Sequence, residues 1–171
     1  MWLIPVVLLL LLASQTNIVK EFFSMDYKHI ISDWFEDANQ YAKKFGVPVE
    51  VVLGIIATES NGNPKAKGVT GDFGLMQITQ PALTDYNNTW NTRYTLLDML
   101  NPQINIKVGT WFYARCYSRI KNQYDAFRAY NGGVQGATNN PNLSKDYADK
   151  VQSNVLAIAT ILHNQTGEIT V

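Results

Sequence analysis

The chain of 171 residues carries 14 basic and 14 acidic side chains, so its formal net charge is zero and no net field attracts it to nucleic acid. With one cysteine and two histidines, it forms no internal disulfide and offers too few ligands for a usual zinc site. The length predicts one domain with a sizeable core, and we expect no nucleic-acid partner, no metal and no cofactor.

An apolar run over residues 2–13 opens the chain. A membrane span takes about 20 residues, so this run has the length of a secretory signal or of a marginal anchor. No basic residue precedes it, and Lys20 and Lys28 follow it, so the charges do not fix an orientation. We expect residues 1–19 to be a signal peptide or membrane anchor and residues 20–171 to form the folded domain.

Residues 25–45 predict an amphipathic helix. Their apolar and aromatic side chains recur at the spacing that places them on one helical face. Gly46 is a suitable C-terminal cap. We interpret the aromatic side of this helix as core and assign no chemistry to it.

The next helix, predicted over residues 47–60, contains Glu59. Pro48 suits its first turn, and apolar residues on both sides indicate that it is buried nearly all round. Glu59 points along the apolar stripe, near the negative end of the helix dipole. Burial and the dipole both favour the protonated carboxyl, which is the form a general acid needs. The alternative is a solvated end residue, or a carboxylate paired with Lys65 or Lys67.

Residues 61–79 change character, because turn residues replace the helical pattern. Gly68, Gly71 and Gly74 lie close together here. Glycine allows the backbone to approach another surface, such as a ligand, closely. We expect loops or a small β-hairpin in this part of the chain.

The second half of the chain is predicted to be mainly helical. Residues 81–100 are mixed and indicate no single element, whereas Asn101 followed by proline opens a helix. A short helix ends at the glycines of residues 131–133, and residues 139–142 form a polar loop. Ser144 is expected to cap the last helix. Together these elements predict a mainly α domain with one small irregular or β element.

Cys116 lies on the helix that Asn101 opens, on its predicted inner face. No histidine is near it in the sequence. We therefore expect a small core residue and not a nucleophile.

Five short motifs follow one another along the chain. They are ATES (57–60), GDFGLMQI (71–78), NP with NI (101–102 and 105–106), AYNGG (129–133), and Tyr147 with Val151. In this order and with these gaps they resemble the soluble lytic transglycosylases, a lysozyme-like family related to the goose-type lysozymes. The resemblance covers about residues 48–160. It implies a mainly α, lysozyme-like domain (α+β) with a small β-hairpin or loop element.

The resemblance also implies an activity. The family cleaves the β-1,4 bond between N-acetylmuramic acid and N-acetylglucosamine in peptidoglycan, and the 6-hydroxyl of the muramic acid attacks to give a 1,6-anhydro product. Glu59 matches the residue that protonates the glycosidic oxygen and then takes the hydroxyl proton. An internal nucleophile has an advantage in effective molarity over water, which makes a second carboxylate dispensable.

Six further residues match family positions near the acid. They are Ser60, Met76, Gln77, Tyr130, Asn131 and Tyr147. The first three are expected to line the sugar cleft beside Glu59, the next two to form its opposite wall, and the last to hydrogen-bond the carboxyl. Packing is the alternative for Met76, and a core position is the alternative for Tyr147.

Asp72 leaves a second reaction open. If it faced Glu59 across the cleft with room for a water molecule, it would act as the base of a hydrolytic, inverting lysozyme. A further hypothesis is that the chain is not an enzyme but a wall-binding module on a membrane stem.

The expected partners are peptidoglycan glycan strands and, through residues 1–19, a membrane. The expected location is therefore the cell envelope, in the periplasm or on the outer face of the membrane, or a virion membrane for a phage protein. A secretion or conjugation apparatus, or a virion, is an expected further partner.

Overall fold

The computed structural model describes residues 27–167, which form seven α-helices and one short 3-10 helix without a strand. In chain order they are α1 (27–45), α2 (Val49–Ser60), α3 (Gln80–Trp90), the 3-10 helix (Leu96–Leu100), α4 (Pro102–Ile120), α5 (Gln123–Gly132), α6 (Val134–Asn139) and α7 (Lys145–Gly167). The predicted mainly helical domain is confirmed.

The expected signal or anchor, residues 1–19, lies outside the described residues and stays a prediction. Among residues 27–167, no helix combines the length and the apolar character that crossing a membrane requires.

Helix α2 lies at the centre of the core, where residues 51–57 are all buried. Its main partner is α7. Gly54 allows the close approach, because a Cβ atom there would lie 2.5 Å from Cγ2 of Val155. Pro48 is the residue before the helix (φ −61°, ψ 138°) and not part of its first turn, and Asn61 ends the helix in the left-handed conformation (φ 50°). The predicted burial on all sides is therefore confirmed, while the helix begins at Val49, two residues later than predicted.

The predicted inner faces of the first and last helices lie in the core. The buried side chains include Ile30, Ala38 and Ala42 of α1 and Val151, Val155 and Ile158 of α7. Ser144, the expected cap of α7, has a φ of 58°. Its hydroxyl donates a hydrogen bond of 2.8 Å to Oδ1 of Asn131, so it connects the start of α7 to the end of α5.

The sequence pattern predicts neither α3 nor α6. Only Ala82, Leu83 and Tyr86 of α3 are buried, and α6 has six residues with Ala137 as its buried residue. Short helices with so few apolar residues produce no clear 3.6-residue periodicity. Their formation depends on contacts with α4 and α5 and not on a local pattern.

Residues 61–79 form a compact loop with little β-structure. Isolated antiparallel bridges pair Phe73 with Lys67 and with Ile78, and no longer strand occurs within residues 27–167. The expected small β-hairpin is thus reduced to two bridges. Its place is taken by turns that bring the loop against the C-terminal end of α2.

Candidate active site

Glu59 and Tyr147 meet where α2 packs against α7. Glu59 lies in the last turn of α2, and Tyr147 lies in the first turn of α7, 88 residues later in the chain. The Tyr147 hydroxyl donates a hydrogen bond of 2.7 Å to Oε1 of Glu59. The contact expected for Tyr147 is present, and the residue contributes a polar group to the site as well as lying against the core.

Burial raises the pKa of Glu59 from 4.5 to about 7. Lost hydration is the largest cause, and the hydrogen bond from Tyr147 acts in the opposite direction. The charge of Asp72 raises this pKa further, and the charge of Lys150 lowers it. Near neutral pH the protonated and the ionised carboxyl are therefore both accessible, so the group can both donate and accept a proton.

Neither Lys65 nor Lys67 forms an ion pair with Glu59. Within residues 27–167 the ion pairs are Arg115–Asp85 and Arg128–Asp125. The ammonium of Lys67 lies over the ring of Phe73 instead, 5.7 Å from its centre. The alternative in which Glu59 is one half of a surface salt bridge is thus wrong.

Two phenols, those of Tyr147 and Tyr130, lie near enough to the carboxyl for its charge to affect their pKa values. Burial raises the pKa of Tyr130 and of Tyr147 well above 10, and the nearby charge of Glu59 adds to the effect on both. The Tyr130 hydroxyl donates a hydrogen bond of 2.8 Å to the carbonyl of Met76. Both side chains remain protonated at neutral pH, so each can donate a hydrogen bond but neither can act as a base.

Ser60 and Gln77 hold the glycine-rich loop at the end of α2. Ser60 Oγ donates a hydrogen bond of 2.8 Å to the carbonyl of Leu75. Gln77 Nε2 donates to the carbonyls of Gly74, at 2.8 Å, and Ala66, at 3.3 Å. Both side chains are half-buried. The structure gives each a structural role, and their contact with a substrate stays a prediction.

Met76 requires a correction. Its side chain is 0% exposed and packs against Gly109 of α4, where a Cβ atom would lie 2.5 Å from the Met76 sulfur. A side chain without exposed surface cannot line a sugar cleft. Packing therefore explains the methionine at this position. Its backbone also contributes, because the Met76 amide donates a hydrogen bond to Oδ1 of Asn105 and the Met76 carbonyl accepts one from the Tyr130 hydroxyl.

Asn131 and Asp72 are polar residues with side chains that reach solvent. Asn131 is exposed, and its side-chain carbonyl accepts the hydrogen bond from Ser144. Asp72 is half-buried, and its Oδ1 accepts a hydrogen bond of 2.5 Å from Thr70. Since the charge of Asp72 affects the pKa of Glu59, the two carboxyls lie within electrostatic reach of each other.

Asn105 is a residue to which sequence reasoning assigned no role. It is 0% exposed on α4. Its Nδ2 donates to the carbonyls of Phe73, at 2.8 Å, and Met99, at 2.9 Å, while its Oδ1 accepts from the Met76 amide at 2.8 Å. This side chain fixes the loop that faces Glu59. The available signal was a polar residue on the apolar face of a predicted helix.

Among residues 27–167, no group of three or more His, Cys, Asp and Glu side chains could hold a metal ion. Cys116 is buried, which raises the pKa of its thiol to about 12, and this agrees with the predicted core role.

Residues 36–163 match the family model of the transglycosylase SLT domain. The chain belongs to this family. The match covers most of the chain, and it confirms the resemblance seen in the five motifs.

The SLT domain is similar to curated proteins from bacteria and a phage. It is 31% identical over 101 residues to the membrane-bound lytic murein transglycosylase E of Buchnera aphidicola subsp. Baizongia pistaciae, a match covering 56% of this chain and 45% of the relative. It is 29% identical over 122 residues to the transglycosylase of Enterobacteria phage PRD1, covering 71% of this chain and 43% of the relative. The chain thus spans less than half the length of these two relatives.

Two solved structures share the fold of the SLT domain. The 70 kDa soluble lytic transglycosylase from Escherichia coli superposes with a TM-score of 0.69 and 20% identity, covering 74% of this chain and 24% of that one. A complex of the 70 kDa soluble lytic transglycosylase with bulgecin A gives a TM-score of 0.73 and 20% identity, covering 86% and 27%. The lysozyme-like fold expected from the sequence is therefore confirmed.

Proposed function

We propose that the chain is a peptidoglycan lytic transglycosylase. It would cleave the β-1,4 bond between N-acetylmuramic acid and N-acetylglucosamine and leave a 1,6-anhydromuramic acid end. The observation that carries this proposal is the Glu59 carboxyl, whose pKa is about 7 and which accepts a hydrogen bond from Tyr147 in a member of the SLT family.

In the first step, protonated Glu59 donates its proton to the glycosidic oxygen. The bond from that oxygen to the anomeric carbon breaks, and its electron pair remains on the leaving sugar. Burial favours the protonated carboxyl in the resting enzyme, which provides the acid. The hydrogen bond from Tyr147 to Oε1 stabilises the carboxylate that remains.

In the second step, the Glu59 carboxylate takes the proton of the 6-hydroxyl of the muramic acid. The oxygen of that hydroxyl bonds to the anomeric carbon of the same sugar and closes the anhydro ring. Glu59 is then protonated again, so the cycle ends as it began and consumes no water.

The proposed substrate contacts are polar groups around this pair. Ser60 and Gln77 are proposed for the loop side of the cleft, and Tyr130 and Asn131 for the opposite wall.

The proposed location is the cell envelope, with peptidoglycan strands as the substrate. The names of the membrane-bound bacterial relative and of the phage transglycosylase support this setting. A membrane contact through residues 1–19 and a secretion-apparatus or virion partner belong to the same proposal.

A hydrolytic lysozyme reaction is the second candidate. The observation that favours it is the electrostatic effect of Asp72 on Glu59, which places a second carboxylate near the acid. In this reaction Asp72 would activate a water molecule, and the product would carry a reducing end.

The experiment compares the full chain with Glu59→Gln and with Glu50→Gln, a matched change in the first turn of α2. Release of muropeptides from purified peptidoglycan should fall about 100- to 10,000-fold in Glu59→Gln, because one group supplies both proton transfers. It should be unchanged in Glu50→Gln. Unchanged release by Glu59→Gln would contradict the proposal, and peptidoglycan binding without any release would favour the non-catalytic wall-binding module.

A further inference from the structure

Two cavities share one wall residue, Arg119. The larger cavity, of about 870 Å³, lies between the start of α3, the second half of α4 and residues 130–136. The smaller cavity, of about 590 Å³, lies between the end of α4, α5, the end of α6 and the start of α7. Arg119, in the last turn of α4, lines both of them.

The larger cavity begins at the wall proposed for the sugar cleft. Tyr130 and Asn131 both line it. Tyr130 is near enough to Glu59 for the charge of that carboxyl to affect its pKa, and its ring packs edge-on against Phe112 at 5.4 Å. The Tyr130 hydroxyl also donates to the Met76 carbonyl, in the loop at the end of α2, so the larger cavity adjoins that loop. The smaller cavity is lined by Lys145, two residues before Tyr147 in the chain.

The walls of the two cavities carry more positive than negative charge. The cations are Arg115, Arg119, Arg128 and Lys145, and the anions are Asp85 and Asp125. The ion pairs Arg115–Asp85, at 2.6 Å, and Arg128–Asp125, at 2.8 Å, use both anions. Arg119 and Lys145 take part in neither of these ion pairs. The chain has no net charge overall, so this excess of two cations is a local feature.

Arg128 does not contribute a free donor to this surface. It is 5% exposed, and its guanidinium also donates to the carbonyls of Ala137, Asn140 and Leu143. It thus holds the loop that forms the wall. Arg119 is exposed and stands between the two cavities, so it is the group best placed to meet an anionic ligand.

We propose that these cavities bind the anionic peptide that branches from the muramic acid, with Arg119 contacting one of its carboxylates. The inference rests on the proposed function and assigns the part of the substrate that lies beyond the cleaved sugars. The sugar hydroxyls and acetamido groups are neutral, whereas the peptide carries several free carboxylates at neutral pH. A guanidinium presents a planar pair of donors that suits a carboxylate.

The test compares the full chain with Arg119→Gln on two substrates: peptide-bearing glycan strands, and strands from which an amidase has removed the peptides. Arg119→Gln should lower kcat/KM about 5-fold on peptide-bearing strands, as expected for one charged contact in a partly open site. It should not change kcat/KM on bare strands. Arg93→Gln, an exposed arginine that lines neither cavity, serves as the matched control. On peptide-bearing strands, the difference in kcat/KM between the full chain and Arg119→Gln should become smaller as salt is added.

An equal loss on both substrates, or no loss on either, would overturn the inference. A second measurement separates it from the proposed function: binding of the free muramyl peptide to the full chain, measured by calorimetry. Binding that Arg119→Gln weakens and Arg93→Gln does not would support the inference even if no strand is cleaved. Absence of binding would overturn it. Equally tight binding of an unrelated acidic peptide of the same charge would also overturn it, in favour of an acidic protein partner.

Discussion

The hydroxyl of Tyr147 donates a hydrogen bond of 2.7 Å to Oε1 of Glu59, and this bond joins the first turn of α7 to the last turn of α2. Burial raises the pKa of Glu59 while the phenol lowers it, so two opposed effects leave it at about 7. Oε1 of the carboxyl accepts from the phenol, and in the proposed reaction the other oxygen would exchange the proton with the substrate. The packing of two helices thus determines the protonation of one group.

Replacing Tyr147 with phenylalanine should change the pH dependence of activity as well as its magnitude. Loss of the hydrogen bond raises the pKa of Glu59, so the alkaline limb of the rate profile should move to higher pH. The rate near neutral pH should fall about 10-fold, because the carboxylate left after proton transfer loses a donor. Tyr117→Phe, at an exposed position on α4, is the control. An alkaline limb that stays in place would contradict the role given to this hydrogen bond.

The raised pKa of Glu59 predicts a stability effect that does not depend on catalysis. Between the ordinary pKa of 4.5 and the folded value of about 7, the folded chain binds more protons than the unfolded chain. The stabilising effect of the protonated carboxyl is therefore complete below pH 4.5 and lost as the pH rises through 7. Glu59→Gln, which never ionises, should be about 2–3 kcal/mol more stable than the original chain at pH 8 and show little advantage at pH 5. Urea unfolding at the two pH values measures this, and an equal difference at both would contradict the raised pKa.

Asn105 should be the most sensitive polar residue outside the Glu59–Tyr147 pair. Asn105→Ala leaves the Met76 amide and the Met99 carbonyl without their Asn105 partner, while the Phe73 carbonyl keeps its bond from the Ile78 amide. This loss should lower the free energy of unfolding by about 3 kcal/mol. Asn88→Ala, on the exposed side of α3, should change it by less than about 0.5 kcal/mol. Comparable effects of the two changes, measured by urea unfolding, would show that the loop does not depend on Asn105.

Gly54 should be essential for the distance between α2 and α7. Alanine favours helix formation, yet its Cβ atom would lie 2.5 Å from the Val155 side chain and 3.1 Å from its backbone nitrogen. We expect Gly54→Ala to destabilise the chain by about 1–3 kcal/mol. Adding Val155→Ala should recover part of this loss, since it removes the nearer of the two contacts. A Gly54→Ala chain as stable as the original in thermal unfolding would show that the two helices can separate freely.

Local patterns in the sequence predict much of the fold. The apolar spacing of α2 indicates both its burial and the direction of Glu59, because a helix fixes side-chain directions within a few residues. Long-range contacts were not predictable in this way. Helices α3 and α6 depend on contacts with other helices and lack a clear apolar periodicity of their own. Met76 faces the core, and its backbone amide is held by Asn105, 29 residues away in the chain.

In the candidate site, too, local features were predictable and long-range contacts were not. Glu59 could be selected from burial and the helix dipole, whereas its partner Tyr147 came only from the resemblance, since no local rule connects residues 88 positions apart. The cavities at Arg119 had no signal in the sequence, because their walls come from several separate helices.

The most direct test of the central claim is the mass of the products formed in water enriched in oxygen-18. Purified peptidoglycan is digested with the full chain, and the released muropeptides are analysed by mass spectrometry. If Glu59 acts alone with the 6-hydroxyl as nucleophile, the products are one water lighter than hydrolytic products and contain no heavy oxygen from the solvent. Reducing-end products that carry one heavy oxygen would contradict this account and assign the second step to water, with Asp72 as the base.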